Sequence, residues 1–268
     1  MFQNVESVTA LPFEGLTFLT AKSSALGGRG DITLFVPEQA RASRNVPLVL
    51  LLHGAFGSHW HWAISGGAHR TAQRLMAQGR IPPFVLAMPS DGLWGDGTGY
   101  MAHHGHDFEK WIVEDATNAV RAAVPCLSAK SPLFLSGMSM GGFGALRIGA
   151  KHPGFCRGIS VHSSVTHFKQ LLAFVDEDAA SFGPLPEDCS VLETILRHRQ
   201  TLPPIRFDCG LSDILIKQNR QLHRELETRG IAHYYEEFSG GHDWPYWTAH
   251  VEESFMFFAD ILSPKKHP

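Results

Sequence analysis

The sequence predicts an α/β fold in one domain: a mostly parallel central sheet with antiparallel N-terminal strands, helices on both faces and a small helical cap insertion. After residue 46, short continuous apolar runs alternate with segments whose apolar residues recur at helical spacing. That alternation is the order of a parallel sheet covered by helices. Since no linker rich in Pro, Gly and Ser divides the 268 residues, we expect a single domain over residues 1–268.

The chain begins with a predicted antiparallel hairpin, in which strands at 15–23 and 31–37 flank the turn-rich residues 27–30. Three apolar runs typical of strands buried on both faces follow, over 47–53, 83–88 and 132–137. Further strands are predicted over 157–161, 205–209 and 232–238. Helical periodicity predicts the helices at 68–77, 108–124, 141–150, 214–228 and 245–262. Residues 163–203 interrupt the alternation with helical segments and a turn at Gly183-Pro184, and we interpret them as a cap insertion over a site.

Composition excludes several classes of function. Lys plus Arg number 23 and Asp plus Glu 26, for a net charge of −3. A nucleic-acid or anionic-membrane binder would need a basic surplus, so we expect neither partner. No apolar stretch is long enough to span a membrane, and the first thirty residues lack the pattern of a secretory signal. The four cysteines form no Cys-x-x-Cys pair and are expected to stay reduced in the cytoplasm.

A candidate nucleophile lies at the end of the strand predicted over 132–137. Gly137-Met138-Ser139-Met140-Gly141 fits Gly-x-Ser-x-Gly, between that strand and a helix rich in small residues. This context is the one a nucleophile elbow requires, because the sharp turn exposes the serine hydroxyl. The two glycines are needed where strand and helix approach closely. We therefore predict Ser139 as a catalytic nucleophile.

The predicted acid and base follow in the chain order of α/β hydrolases, which is nucleophile, acid, histidine. Asp213 follows the strand at 205–209, and His242 follows the last strand. All three side chains would meet at one sheet edge, where His242 takes the serine proton and Asp213 orients the imidazole. Asp208 is the less favoured acid because it lies within its strand, and Asp243 is expected to point away from the site.

The predicted oxyanion hole combines two backbone N–H groups. One belongs to Met140, directly after the nucleophile, and the other to Ala55 in the loop after the strand at 47–53. Phe56 is the reserve donor in that loop. His53 is tempting as a base, but we expect it to brace the loop, since the base predicted from chain order is elsewhere.

Histidine and tryptophan are concentrated in the predicted loops. The sequence holds 16 His and 6 Trp, with clusters at 59–62 and 103–106. Their spacing fits no metal motif, so we expect no metal. We predict that Phe56, Trp60, Trp94 and Trp244 wall an apolar substrate pocket.

Taken together, the segments PLVLLLHGAFGSHWHW, LSGMSMGGFGA, CGLSD and GGHDWPYW resemble the esterase D-type family of α/β hydrolases, over about residues 47–250. That family includes short-chain acyl (tributyrin) esterases, S-formylglutathione hydrolases, feruloyl esterases and mycolyltransferases. The resemblance implies the α/β-hydrolase fold, the same triad and oxyanion donors, and no cofactor. His53-Gly54 stands where S-formylglutathione hydrolases usually have Ser-Gly, which favours simple acyl esters over glutathione thioesters.

We therefore predict a serine carboxylesterase that cleaves small acyl or aryl esters through an acyl-enzyme. Its expected partner is a small-molecule ester, and the sequence is also compatible with a homo-oligomer. Four alternatives stay open: acyl transfer to a sugar or other alcohol, S-formylglutathione-type thioester hydrolysis, ester binding without turnover, and a metalloenzyme built on the His-rich loops.

Overall fold

The computed structural model describes residues 2–10, 15–182 and 189–263 of the chain. Within them the strands are β1 (Phe2–Ala10), β2 (Leu16–Ser23), β3 (Gly28–Phe35), β4 (Leu48–Leu52), β5 (Val85–Pro89), β6 (Ala102–His103), β7 (His106–Asp107), β8 (Leu133–Met138), β9 (Ile159–His162), β10 (Ile205–Gly210) and β11 (Tyr234–Phe238). The helices are α1 (Glu38–Arg41), α2 (His61–Ile64), α3 (Ala68–Ala77), α4 (Phe108–Lys110), α5 (Thr117–Ala123), α6 (Met140–Lys151), α7 (Phe168–Leu171), α8 (Val191–Arg197), α9 (Ile216–Thr228) and α10 (Trp244–Leu262).

One sheet organises the molecule, with the strand order β1-β2-β3-β5-β4-β8-β9-β10-β11. Strands β1, β2 and β3 pair antiparallel, and β3 pairs antiparallel with β5. From β5 to β11 every neighbouring pair is parallel. This topology confirms the predicted mostly parallel sheet with antiparallel N-terminal strands.

The register of the parallel strands brings their carboxyl ends to one level. Leu52 of β4 is paired with Gly137 of β8, Met138 of β8 with His162 of β9, and His162 with Asp208 of β10. The loops after these strands therefore emerge side by side at one edge of the sheet. In open α/β sheets this is the edge at which ligands bind.

The helices pack on both faces of the sheet through apolar side chains. On one face, Leu75 of α3 and Phe255 of α10 pack with Phe134 of β8. On the other face, Val120 of α5 and Phe143 of α6 belong to a larger buried cluster. Burial on both sides explains why β4, β5 and β8 are continuous apolar runs without alternation.

Several local features differ from the predictions. Strand β1 was not predicted, because most of its side chains are exposed and its apolar residues do not alternate with polar ones along the segment. The hairpin turn lies earlier than 27–30, since β3 already begins at Gly28. The helix predicted over 108–124 contains a π-helical segment, Trp111–Ala116, and the hydroxyl of the next residue, Thr117, donates to the carbonyl of Ile112 at 2.8 Å.

The predicted insertion joins β9 to β10. Its described residues, 163–182 and 189–203, contain α7, a 3-10 turn at Ala179–Phe182 and α8. The predicted turn at Gly183-Pro184 lies outside the described residues. Across the described chain, no helix combines the length and the apolar character that crossing a membrane requires.

Candidate active site

Ser139 occupies the turn between β8 and α6, with φ 55° and ψ −119°. Neighbouring backbone atoms leave no space for side chains at the two glycines of this turn. A Cβ on Gly137 would lie 2.4 Å from the Gly141 carbonyl oxygen, and a Cβ on Gly141 would lie 2.2 Å from that of Leu52. Both positions therefore require glycine, and the strained serine conformation is typical of functional sites.

The serine backbone is anchored on both sides. Its N–H donates to the carbonyl of His162 at the end of β9, at 3.1 Å, and its carbonyl accepts from Val165 N–H, also at 3.1 Å. The neighbouring strand and the start of the insertion thus fix the elbow. Ser139 itself is 5% exposed.

The structure brings Ser139, His242 and Asp213 into one hydrogen-bonded row. His242 Nε2 lies 2.9 Å from Ser139 Oγ, and His242 Nδ1 lies 3.0 Å from each carboxylate oxygen of Asp213. The acid and base loops are joined by a hydrogen bond from Ser212 N–H to the Gly240 carbonyl at 2.9 Å. This is the arrangement of a nucleophile, a general base and a group that orients the base.

Several contacts stabilise the carboxylate form of Asp213. Burial alone would raise the pKa of this carboxyl. The hydrogen bond and charge of His242, with the N–H of Leu215 at 2.7 Å from Oδ1, outweigh it and lower the pKa below its usual value. The group is therefore ionised at neutral pH and can accept the Nδ1–H of the imidazole.

The two rival aspartates contact other partners. Asp208 is fully buried, and its carboxylate lies 2.8 Å from His162 Nδ1 and 2.6 Å from Arg206 Nη1. Asp243 accepts from Tyr246 N–H at 3.0 Å and so caps α10. Neither carboxylate is engaged with His242.

The loop after β4 approaches the nucleophile closely, since a Cβ on Gly54 would lie 3.3 Å from Ser139 Cβ. Ala55 lines the cavity beside Ser139, and Met140 is the first residue of α6, where backbone N–H groups have no intrahelical acceptor. The reserve donor, Phe56, is already engaged, because its N–H donates to the Asp96 carbonyl at 2.7 Å.

His53 holds this loop from beneath. Its ring is buried, Nδ1 donates to the Gly54 carbonyl at 2.8 Å, and Nε2 accepts from Asp91 N–H at 3.0 Å. Both nitrogens are thus occupied by backbone groups, as a loop-bracing role requires.

A cavity of about 310 Å³ opens at Ser139. Apolar and aromatic side chains dominate its walls, and it is lined by Gly54, Ala55, Phe56, Gly57, His61, Met138, Ser139, Phe174, His242, Trp244 and Trp247. Phe56 stands at its rim, 63% exposed and held at φ 59°. Two of the four predicted pocket residues, Phe56 and Trp244, are therefore in the wall.

The other two predicted pocket residues lie elsewhere, which corrects the expectation. Trp60 is not among the residues that line the cavity, and it packs against the wall residue His61, with ring centroids 3.8 Å apart. Trp94 turns away to pack against His103 at 4.7 Å and Phe182 at 5.1 Å. The position of a loop at the carboxyl edge of the sheet therefore does not determine the direction in which its tryptophan side chain points.

Three aromatic residues of the wall were not predicted to line the pocket. Phe174 comes from the insertion, where no periodic pattern signals it, and stacks on His242. Trp247 follows Trp244 by three residues on α10, a spacing that places both on one helix face and could have revealed it. His61 belongs to the histidine cluster at 59–62, for which the sequence indicates no specific role.

The remaining histidines of the two clusters have structural contacts. His59 Nδ1 lies 2.8 Å from the Thr33 hydroxyl, and His103 Nε2 lies 3.1 Å from the Thr98 carbonyl. Burial lowers the pKa of both imidazoles. Within residues 2–10, 15–182 and 189–263, no group of three or more His, Cys, Asp or Glu side chains could hold a metal ion.

Comparison with known proteins identifies a matching family and a relative in sequence. A family model described as "Putative esterase" matches residues 23–258. An acetyl esterase from Caldicellulosiruptor saccharolyticus is 26% identical over 238 residues, which are 82% of this chain and 85% of that protein.

Two solved structures share the fold at lower identity. A ferulic acid esterase has a TM-score of 0.80 at 20% identity, covering 92% of this chain and 98% of that one. An S-formylglutathione hydrolase from Staphylococcus aureus has a TM-score of 0.76 at 18% identity, covering 90% of this chain and 97% of that one.

Proposed function

This chain belongs to the putative esterase family and is a carboxylic ester hydrolase. On that premise we propose that it is a serine esterase whose catalytic triad is Ser139, His242 and Asp213. The observation that carries the proposal is the continuous row of hydrogen bonds from Ser139 Oγ through His242 to Asp213. Each residue also lies on a loop at the carboxyl edge of the sheet.

In the proposed mechanism, His242 Nε2 removes the proton of Ser139 as Oγ attacks the ester carbonyl. The backbone N–H groups of Ala55 and Met140 donate to the resulting oxyanion. The imidazolium, held by Asp213, returns its proton to the departing alcohol and leaves an acyl-enzyme. Water then attacks this second ester with His242 again as the base, which releases the acid and restores the serine.

The walls of the cavity favour a small uncharged ester. Among the described residues that line it there is no Lys, Arg, Asp or Glu. A charged substrate group would therefore be buried without a partner, which is costly. Since glutathione is charged, we favour simple acyl or aryl esters over its thioesters.

Ser139→Ala tests the assignment. We expect hydrolysis of p-nitrophenyl acetate and butyrate to fall by about 10⁴-fold or more, and labelling by a fluorophosphonate to disappear. Ser65→Ala is the matched control, because Ser65 is exposed at the end of α2 and should change neither readout. Unchanged turnover in Ser139→Ala would rule out this nucleophile.

Two further measurements separate the reaction classes. An acetyl group offered on an aryl alcohol and on glutathione should be hydrolysed faster from the alcohol. With sugar and simple alcohols present as acceptors, we expect free acid rather than a new ester, and acylated acceptor as the main product would favour acyl transfer.

We also propose a cytoplasmic location. All four cysteines, Cys126, Cys156, Cys189 and Cys209, are free, as is usual where thiols are kept reduced. Cell fractionation with an antibody to the chain is the direct test, and recovery outside the cytoplasmic fraction would refute it.

A further inference from the structure

His61 is a polar side chain in an otherwise largely apolar wall. It opens α2, whose next residue, Trp62, is buried and donates its indole N–H to the Leu52 carbonyl at 2.9 Å. That bond ties the short helix to the end of β4, beside the nucleophile elbow. The position of His61 in the cavity wall is thus set by a buried anchor rather than by a free loop.

The imidazole of His61 is held by its neighbours. Trp60 packs on it with centroids 3.8 Å apart, and Trp244 lies nearly parallel at 5.6 Å with an interplanar angle of 21°. Nδ1 accepts from the backbone N–H of Ser58 at 2.9 Å. The two aromatic contacts and the hydrogen bond at Nδ1 therefore fix the orientation of the ring. Nε2 is the ring nitrogen that these contacts do not use.

These contacts also determine the proton position. Burial, with a smaller contribution from His53, lowers the pKa of His61, so the ring is neutral at neutral pH. Because Nδ1 uses its lone pair to accept from Ser58, the single ring proton is on Nε2. His61 is thus a neutral hydrogen-bond donor whose direction is fixed before substrate binds.

We propose that His61 is a substrate-binding residue, whose Nε2–H donates to an uncharged oxygen of the ester other than the scissile ester group. This inference rests on the proposed function and refines its substrate class. The acceptor would be an alkoxy, hydroxyl or second carbonyl oxygen, because the wall offers no positive charge to a carboxylate or phosphate. Apolar pockets commonly fix a ligand through a few such placed polar groups.

The test compares esters that differ by one oxygen. p-Nitrophenyl methoxyacetate and butyrate place oxygen or methylene in the acyl group, and 2-methoxyethyl and butyl acetate do so in the alcohol. The ratio of kcat/KM within each pair is measured for the native enzyme, His61→Phe and His61→Gln. Comparing ratios between enzymes cancels the intrinsic reactivity of each ester.

We expect the preference for the oxygen-bearing ester to fall by about 2- to 12-fold in His61→Phe, in the pair whose oxygen reaches the donor. His61→Gln, which restores an N–H near the Nε2 position, should recover it. Ratios that stay the same in His61→Phe for both pairs would overturn the proposal. So would an equal loss for all four esters, since that is the result of a merely structural role.

If the proposed function were wrong, the measurements would differ from those expected when only the His61 inference is wrong. Native enzyme and Ser139→Ala would then hydrolyse p-nitrophenyl butyrate equally, whereas failure of the His61 inference leaves a fully active enzyme with unchanged ratios.

Discussion

Phe174 lies over the imidazole of His242, with ring centroids 5.6 Å apart and planes inclined by 24°. The two residues come from distant parts of the chain, one from the insertion after β9 and the other from the loop before α10. In the proposed mechanism, His242 returns its proton to the departing alcohol, so the alcohol must lie next to this ring. The insertion thereby supplies a wall on the alcohol side of the site.

Phe174→Ala should lower kcat/KM for benzyl acetate relative to ethyl acetate by about tenfold, because the larger alcohol loses an apolar contact. The acyl group is identical, so the difference reports the alcohol side. Leu93→Ala is the matched control, since Leu93 is an exposed apolar residue of the same sheet edge outside the cavity wall. If the ratio of the two esters stayed the same in Phe174→Ala, the alcohol would lie elsewhere.

Asp213→Asn should lower kcat by about 10³- to 10⁴-fold, because an amide can donate to Nδ1 and then favours the wrong imidazole tautomer. Asp243→Asn provides the comparison, since Asp243 directly follows His242 in the chain. Its carboxylate caps α10, and asparagine is an equally good cap, so both activity and stability should be retained. Steady-state kinetics on both variants would decide, and equal activities would remove Asp213 from the triad.

Much of the architecture and the three proposed catalytic residues could be predicted because both depend on strand order. Strands buried on two faces leave continuous apolar runs, and parallel strands bring their following loops to one edge. Ser139, Asp213 and His242 each follow a parallel strand of this sheet, so their meeting is a consequence of topology.

The substrate wall depends instead on side-chain packing between segments distant in sequence. Trp94 follows Leu93, whose φ is 57°, and its indole packs against the insertion residue Phe182 rather than the cavity. Phe174 reaches the site from a segment without periodic pattern. Strand β1, most of whose side chains are exposed, is held by pairing with β2, which a single segment does not reveal.

Gly57→Ala should reduce kcat by about 10²-fold by displacing the predicted oxyanion loop. A Cβ at this position would lie 2.4 Å from His53 Nδ1 and 2.7 Å from the Gly54 carbonyl oxygen, so the loop must shift. Gly28→Ala is a suitable control, since its nearest neighbour atom would be 3.9 Å away. Wild-type kcat with intact folding in Gly57→Ala would contradict the assignment of this loop to oxyanion binding.

We expect Asp208 to determine the stability of the fold at acid pH and to have no role in catalysis. Burial would raise the pKa of this carboxyl, but His162, Arg206 and Tyr246 together lower it to about 2. The carboxylate therefore stabilises the fold fully above its unfolded pKa of about 4, and this contribution is lost as pH falls toward 2.

Asp208→Asn should cost about 3–5 kcal/mol of unfolding free energy at pH 7, because Arg206 and His162 lose a buried partner. Below about pH 4 the native protein should lose stability more steeply than the variant, so the two curves converge. Urea unfolding at fixed pH values measures this, with Asp260→Asn on the exposed side of α10 as the control. A difference that stays constant from pH 7 to pH 3 would show that the ionised carboxylate is not what the buried network requires.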